Sequence, residues 1–283
     1  MICLRNVVDN SYMPVVDKTV YPDCTIGGYV RSNAITGAYR QLMWFYDDDA
    51  ELFELQCIVD TIRNAHPDAT IDLFMPYIPN ARMDRVKTTN QLFTLKTFAR
   101  IINSMNFHRV RVSDPHSNVA TALIDRVFVD DVPYDNLNHA LKIKLGSSNP
   151  ADQLNEALIC YPDAGSAKRY NVPALHSVTC NKCRDFDTGK ITSLELTDPA
   201  AVQGKTVFIL DDICSYGGTF YLAAKALRNA GAKDVVLVVT HCENSILKGK
   251  LFDTSDEEKL ISSVFTTNSI FRAAHPDIYV TKL

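Results

Sequence analysis

The sequence predicts an α/β protein of mostly parallel sheets flanked by helices, and three features carry that prediction. Residues 206–210 are β-branched or apolar, as in a buried parallel strand, and an amphipathic helix follows the turn at Gly217 and Gly218. Similar strands are predicted at residues 71–75 and 157–161, each leading towards a polar loop. With 46% hydrophobic residues, the 283-residue chain has enough apolar surface for one large domain or two smaller ones.

The overall composition narrows the class of protein. A net charge of −4 gives no basic surface for nucleic acid or an anionic membrane. The longest apolar runs are the length of strands, and the first residues carry no long apolar segment. We therefore expect a soluble cytoplasmic protein with no nucleic-acid or membrane partner.

The eight cysteines indicate a reducing compartment. Most of them, such as Cys160, lie inside apolar stretches and are expected to be buried free thiols. Cys180 and Cys183 form a CxxC pair, but no second pair or histidine lies at zinc-ligand spacing. A metal or redox role for this pair is therefore not favoured.

The first half of the chain alternates predicted strands and helices. Residues 1–46 favour strands and hairpins, whereas the three aspartates at 47–49 precede an amphipathic run and are expected to cap a helix instead of binding metal. Beyond the strand at 71–75, a helix is predicted at 92–104 and a further strand at 109–112. This order is typical of a βα series.

The segment after the strand at 206–210 has the chemistry of a ribose-phosphate site. Two carboxylates can accept hydrogen bonds from vicinal sugar hydroxyls or hold Mg²⁺ through water. Behind them, backbone N–H groups at a helix N-terminus can hold a phosphate, and Thr219 is expected to cap that helix. An ordinary βα turn is the alternative, but the hydroxyl and glycine residues favour ligand binding. The candidate residues are Asp211, Asp212, Ser215, Tyr216, Gly217, Gly218 and Thr219.

The run VFILDDICSYGGT resembles the phosphoribosyl-pyrophosphate (PRPP) loop of the type I phosphoribosyltransferase fold. That superfamily contains both the transferases and the PRPP synthetases, and this motif alone does not choose between them. The rest of the chain carries the distinction.

Segments of the first half are similar to the ATP side of PRPP synthetases. PYIPNARMDR resembles PYxxYARQDR, which contacts the ATP phosphates and which transferases lack; a solvated basic turn is the alternative. SDPHS resembles the Asp-x-His whose histidine binds the Mg²⁺ of Mg-ATP, and YPDCT keeps the aromatic residue and carboxylate of the adenine-binding F-x-D-G-E from a neighbouring subunit. The implied ATP-binding residues are Tyr21, Asp23, Arg82, Asp84, Arg85 and His116.

Segments of the second half extend the resemblance. VPYDNL is similar to IPVDNL, which closes the family's first domain, so we predict domains at 1–138 and 139–283. PDAGSAKR is similar to PDxGxxxRA, and it implies that Asp163 is a second Mg²⁺-linked carboxylate beside His116. NKCRD carries the K-x-R of the family's mobile catalytic loop, so Lys182 and Arg184 are the predicted catalytic residues. THC and FTTNSI resemble ATHG and VTNTI.

At least six segments therefore match in order, and the chain is identified as a divergent PRPP synthetase family member. The resemblance implies two type I phosphoribosyltransferase-like domains in pseudo-repeat and a dimer or hexamer of identical chains. It also implies transfer of a diphosphoryl group from Mg-ATP to the anomeric hydroxyl of ribose 5-phosphate, with release of AMP.

Departures from the family pattern leave other functions open. Tyr216 replaces a small hydroxyl residue, and its ring could stack on the base of a nucleotide-extended acceptor such as ADP-ribose, for NAD salvage. Met83 replaces a Gln, and the last Glu of the adenine motif is missing. A PRPP-consuming phosphoribosyltransferase and a non-catalytic regulatory subunit are further alternatives, but the ATP-side segments argue against the first and Lys182 with Arg184 against the second.

Overall fold

A computed structural model describes residues 1–5, 11–35, 39–146, 155–170, 172–184, 191–252 and 259–283. The side chains of residues 39, 182–184 and 191–193 are also outside the description. The chain forms two compact units, Met1–Asp130 and Asp131–Leu283.

The first unit is built on a six-stranded sheet. Its order is β2-β1-β5-β6-β7-β8, in which β5 to β8 run parallel and β1 pairs antiparallel with both neighbours. Strands β3 and β4 form a separate antiparallel hairpin. The elements are β1 Ile2–Arg5, β2 Tyr12–Pro14, β3 Val16–Val20, β4 Ile26–Val30, α1 Ser32–Ile35, β5 Tyr39–Trp44, α2 Ala50–Ala65, β6 Thr70–Phe74, α3 Thr94–Ser104, β7 Arg109–Ser113, α4 Asn118–Leu123 and β8 Val127–Asp130.

Helix α2 shows why the aspartates before it are structural. Its buried residues Leu55, Ile58, Val59 and Ile62 recur at helical spacing and join the core of the unit. The Asp48 carboxylate accepts a hydrogen bond from the N–H of Ala50 at 2.9 Å, which satisfies a donor of the first turn. Asp48 thus supports the helix start as predicted, whereas Asp49, which occupies the cap position, makes no cap with its side chain.

The second unit is built on a seven-stranded sheet of order β11-β10-β9-β12-β13-β14-β15, parallel except for the antiparallel pair β10 and β11. Its elements are α5 Val132–Leu145, β9 Ala157–Tyr161, α6 Ala164–Arg169, β10 Ser177–Arg184, β11 Ile191–Leu196, β12 Thr206–Cys214, α7 Gly218–Asn229, β13 Asp234–Cys242, β14 Ser263–Thr267 and β15 Ile278–Thr281, with 3-10 helices Ala200–Val202, Asn244–Lys248 and Lys250–Phe252.

Strand β12 lies at the centre of this sheet and is covered on both faces. Val207 and Ile209 belong to one hydrophobic cluster, with helix α7, whereas Phe208 and Leu210 belong to another, with helix α5. Successive side chains of a strand point to opposite faces, so a strand buried on both sides is apolar at every position. This burial fixes where the polar end of β12 lies.

The division between the units falls earlier than the boundary predicted after residue 138. That position lies inside helix α5, which belongs to the second unit. Leu137, Ala140 and Leu141 of this helix pack in a cluster with Phe208 and Phe265 of the second sheet. Burial of this apolar face against strands of the second unit explains why the whole helix belongs with it.

Two expectations from composition can be compared with the described residues. No helix among them is long and apolar enough to cross a membrane. Of the cysteines whose side chains are described, Cys24 and Cys57 are exposed and the other five, Cys3, Cys160, Cys180, Cys214 and Cys242, are buried; all seven are free thiols.

Candidate functional site

The acidic pair lies within strand β12 and not after it. The strand was expected to end at Leu210, but it continues through Cys214. Ile213 and Cys214 pair in register with His241 and Cys242 of the parallel strand β13, and this pairing carries the backbone past the two carboxylates. The site therefore stands on a rigid strand.

Helix α6 holds both carboxylates in place. Arg169 forms an ion pair with Asp212, with its Nη1 2.7 Å from Oδ1, and the Asp212 side chain is only 4% exposed. Ser166 donates from Oγ to Asp211 Oδ1 at 2.8 Å. Strand β9, which leads into α6, is the parallel neighbour of β12. Adjacent strand ends thus bring these four residues together at one edge of the sheet.

The two aspartates have different electrostatic surroundings. Burial and the adjacent charge of Asp212 raise the pKa of Asp211 from 3.8 to about 7, against the opposing effect of the Ser166 hydrogen bond. Burial disfavours the Arg169 cation, but the charge of Asp212, the neighbouring Tyr170 and hydrogen bonds to both together outweigh it, so the pKa of Arg169 is raised. Asp212 is therefore paired with a largely buried cation, whereas the pKa of the adjacent Asp211 is raised to about 7.

Asp163 has a structural task that the sequence did not indicate. Its Oδ1 accepts hydrogen bonds from the N–H groups of Gly165 and Ser166, at 2.9 and 3.1 Å, and so caps helix α6. Through Ser166 it is connected to Asp211. Its predicted role at Mg²⁺ stays a prediction.

The loop after β12 forms the predicted turn, with a different helix start. Gly217 has φ +78° and is the first flanking residue of helix α7, so Thr219 lies inside the helix and does not cap it. A β-carbon at Gly217 would also collide with the Leu251 side chain. Both the positive φ and this close contact therefore favour glycine at position 217. Gly217, at the cap position, has no side chain to offer to this helix start, so the first N–H groups of the helix can serve an anion.

A segment after β13 contacts the loop that follows β12. Glu243 N–H donates to the Cys214 carbonyl at 2.8 Å, and Glu243 Oε2 accepts from the hydroxyls of Ser215 at 2.6 Å and Ser245 at 2.9 Å. A β-carbon at Gly249 would collide with the carbonyl oxygen of Tyr216. We call residues 243–251 the brace, because it contacts the loop along its backbone and through Ser215.

The predicted catalytic residues lie on an antiparallel pair of strands. The backbone of Lys182 pairs with Leu194 and that of Arg184 with Ile191, on either side of a register shift. The resemblance placed both residues on a loop, but strand β10 continues through them, so any such loop begins only after Arg184. Their side chains, and residues 185–190, lie outside the described part of the chain.

In the first unit, the two predicted ATP-side loops meet. Strands β6 and β7 are parallel neighbours, and Ser113 N–H donates to the Pro76 carbonyl at 3.0 Å just beyond them. Asp84 is buried, and its Oδ1 accepts from Arg85 Nε at 2.7 Å. This hydrogen bond lowers the pKa of Asp84, and His116 acts in the same direction. Asp84, Arg85 and His116 therefore form one cluster, and Arg82 is exposed beside it.

The adenine-binding candidates lie at the tip of the β3–β4 hairpin. Asp23 Oδ1 accepts from both the N–H and the hydroxyl of Thr25, at 3.0 and 2.7 Å, which closes the turn and lowers the pKa of Asp23. The Tyr21 ring lies against Gly27 and remains half exposed. An aromatic face is thus available, whereas the carboxylate has a local role.

Four residues of the second unit were not assigned a role from the sequence. Arg169 lies in the PDxGxxxRA-like segment, which was a usable signal, whereas Ser166, Glu243 and Ser245 carried none. Their positions depend on which strands are neighbours of β12. Among the described residues, no three His, Cys, Asp or Glu side chains lie together as a metal site.

Comparison with known proteins places this geometry in a family. Residues 165–277 match the phosphoribosyl transferase domain model. A ribose-phosphate pyrophosphokinase of Listeria ivanovii is 30% identical over 235 residues, which is 82% of this chain and 69% of the relative. Ribose-phosphate pyrophosphokinase 1 of Listeria monocytogenes is 30% identical over 77% of this chain and 65% of its own length. The chain thus spans about two thirds of these relatives.

A solved structure supports the fold. The phosphoribosylpyrophosphate synthetase of Mycobacterium smegmatis aligns with a TM-score of 0.72 over 94% of this chain and 85% of its own, at 19% identity. The sequence predicted two α/β units with mostly parallel sheets, and this prediction of the fold is confirmed. The chain belongs to the ribose-phosphate pyrophosphokinase family.

Proposed function

We propose that the protein transfers the diphosphoryl group of ATP to the anomeric hydroxyl of a ribose 5-phosphate-type acceptor. The observation that carries the proposal is the acidic end of β12. Asp212, paired with Arg169, and Asp211, hydrogen-bonded to Ser166, precede the loop that leads through Gly217 into helix α7. Carboxylates for sugar hydroxyls and N–H groups for a phosphate then follow each other along one short segment.

ATP would be held by the first unit. Arg82 and Arg85 supply guanidinium groups for phosphate oxygens, and Asp84 orients Arg85 through two hydrogen bonds of 2.7 and 3.1 Å. Mg²⁺ would enter with the ATP phosphates, and His116 is the protein ligand that we assign to it. By family resemblance we separately assign Asp163 of the second unit as a Mg²⁺-linked carboxylate. Tyr21 offers its half-exposed ring to adenine and Asp23 closes the turn that presents it.

In the transfer step, the acceptor's anomeric oxygen forms a bond to the β-phosphorus as the bond from that phosphorus to the α-phosphate oxygen breaks, and AMP leaves. We assign Lys182 and Arg184 to the charge that spreads over the phosphoryl oxygens. This assignment rests on the family pattern, with their backbone positions on β10.

AMP formation from Mg-ATP with ribose 5-phosphate tests the proposal. We expect turnover by the wild-type protein, and a loss of about 100-fold or more in Lys182→Ala, the usual result of removing one group that stabilises a transition-state charge. Lys233→Ala, an exposed lysine before β13, is the matched control and should retain turnover. Absence of AMP with every acceptor would overturn the proposal and favour a regulatory subunit.

ADP-ribose is a second candidate acceptor, favoured by Tyr216. Its side chain is 59% exposed at the tip of the loop, where a base attached through the 5-phosphate could stack on it. We expect Tyr216→Ser to raise the KM for ADP-ribose about tenfold, the value of one stacking contact, and to leave the KM for ribose 5-phosphate unchanged. Equal effects on both acceptors would remove the argument from stacking.

Self-association is also proposed, as a dimer or hexamer. Tyr21 and Tyr29 of the β3–β4 hairpin are 51% and 83% exposed, and the register puts Tyr29 on the same face as Gly27, against which Tyr21 lies, so a neighbouring subunit could cover both rings. Sedimentation of the full chain tests this proposal. A monomer at micromolar concentration would contradict it and would leave Tyr21 without a cross-subunit role.

A further inference from the structure

The brace places a carboxylate directly behind the loop proposed to hold the acceptor's 5-phosphate. Glu243 Oε2 accepts hydrogen bonds from Ser215 Oγ at 2.6 Å and from Ser245 Oγ at 2.9 Å, and the two hydroxyl oxygens are 3.2 Å apart. Glu243 is only partly exposed. A negative charge at such a position is screened less than one on an open surface.

This contact changes what the loop can offer to an anion. A serine hydroxyl has one proton to donate. In this structure Ser215 directs that proton to Glu243, so its oxygen meets an incoming phosphate with its lone pairs. The attractive groups that remain on the loop are the first N–H groups of helix α7 and the Thr219 hydroxyl.

A charge behind the loop discriminates between kinds of phosphate. A phosphomonoester carries nearly two negative charges at pH 8, whereas a phosphodiester or each bridging phosphate of a dinucleotide carries one. Repulsion by a fixed carboxylate scales with the ligand's charge, so it is about twice as large for the dianion. The attraction of the helix start grows with the same charge, so removal of the carboxylate benefits the dianion most.

We propose that Glu243 is a specificity-determining residue of the acceptor loop, which disfavours a terminal phosphomonoester relative to a singly charged, substituted 5-phosphate. The inference rests on the proposed acceptor site and deepens it by naming the charge class of the ligand. Glu243 acts through Ser215 and through its charge. It is a positioning residue and takes no part in the transfer step.

Calorimetric binding of three ligands tests the inference: ribose 5-phosphate, the methyl ester of ribose 5-phosphate, and ADP-ribose. The methyl ester has one charge and no base, so it separates the effect of charge from stacking on Tyr216. We expect the wild-type protein to bind the methyl ester at least as tightly as ribose 5-phosphate. A preference for the dianion of tenfold or more would overturn the inference without any variant.

The variant Glu243→Gln keeps an oxygen that can accept from Ser215 and removes the charge. We expect the affinity of this variant for ribose 5-phosphate to increase about fivefold, because a partly screened repulsion between the carboxylate and the dianion is lost. The affinity for the singly charged methyl ester should change less than twofold. Equal changes for both ligands would mean that the brace has a structural role only, and would overturn the inference.

Two control variants separate charge from architecture. Ser245→Ala removes one hydrogen bond to Glu243 but keeps the charge, so the relative affinities for the two ligands should stay as in the wild type. Glu156→Gln changes the net charge equally at an exposed position before β9, and should have no effect on either ligand. If Ser245→Ala reproduces Glu243→Gln, charge is not the cause and the inference fails.

The binding assay and the AMP assay fail independently. If ribose phosphates bind with the expected preference but no AMP forms, the proposed function fails and the charge selection by Glu243 stands. If AMP forms with ribose 5-phosphate but the wild type prefers that dianion tenfold or more, or Glu243→Gln changes both affinities equally, the function stands and the inference about Glu243 fails.

Discussion

The two candidate ligand regions hold their buried carboxylates in different ways. In the second unit, Asp212 pairs with Arg169, which reaches it from a helix that follows a different strand. In the first unit, Asp84 pairs with Arg85, the next residue along the chain. The acidic end of β12 therefore depends on the assembly of the whole sheet, whereas the Asp84–Arg85 pair is a local feature of a turn.

The exposure of the two arginines sharpens this difference. The Arg169 side chain is 24% exposed and that of Arg85 is 71% exposed. A cation that is mostly buried must be replaced by an equivalent partner if its carboxylate is to stay ionised, whereas water can replace a cation on the surface. The regions should thus respond differently to the same substitution.

The largest expected effect is that of Arg169→Met. Removal of this cation leaves Asp212 buried beside Asp211 with no compensating charge from this position, and we expect the free energy of unfolding to fall by about 3 kcal/mol. Urea denaturation of the wild type and the variant measures it. Arg85→Ala is the matched comparison and should cost much less, because water screens its exposed guanidinium. Equal losses would show that the two pairs do not differ as described.

A second test uses pH. The pKa of Asp211 is higher in the folded protein than the ordinary value of 3.8, so the folded state binds an additional proton between about pH 4 and pH 7. The contribution of Asp211 to stability therefore decreases as the pH rises through that window. Asp211→Asn should be more stable relative to the wild type at pH 8 than at pH 5, by at least about 1 kcal/mol, the value of one pKa unit.

In the comparison residue, Asp84, the pKa shift has the opposite sign. The pKa of Asp84 is lowered in the folded protein, so its contribution to stability is complete above the ordinary pKa and is lost only at more acidic pH. In a His116→Ala background, in which no imidazole beside Asp84 changes charge between these pH values, Asp84→Asn should therefore change the free energy of unfolding by the same amount at pH 5 and pH 8. Denaturation in a chelating buffer gives both values, and a change between the two pH values in Asp84→Asn would contradict this account.

The smallest expected effect is that of Ser166→Ala. The lost hydrogen bond to Asp211 should cost about 1 kcal/mol of unfolding free energy. The same bond lowers the pKa of Asp211, so the titration of Asp211 should move to higher pH in the variant. NMR titration of the carboxyl groups measures the shift. A shift to lower pH would contradict the assigned direction of this hydrogen bond.

The sequence was sufficient for several of the elements. The strand at residues 157–161 has the predicted bounds, and helix α7 follows the Gly217 turn as the apolar spacing indicated. Local patterns of burial and turn chemistry determine such features, and they are written in consecutive residues.

The remaining features depend on which strands are neighbours. Strand β12 continues past Leu210 because β13 offers register partners as far as Cys242. Arg169 and Glu243 lie near the acidic pair and the loop because β9 and β13 flank β12 in the sheet. The order of strands is a tertiary property, so a sequence pattern along one strand could not assign these partners to it.

The close approach of Gly249 to the Tyr216 backbone has a consequence for how this loop can change over generations. Gly249 packs against the backbone of Tyr216 and leaves no room there for a side chain. The Tyr216 side chain itself extends into solvent. Residue 216 can then be replaced without moving the amides on either side of it. A library randomised at this single codon would therefore change the exposed surface of the loop on an unchanged scaffold, whereas one randomised at codon 249 would mostly yield misfolded loops.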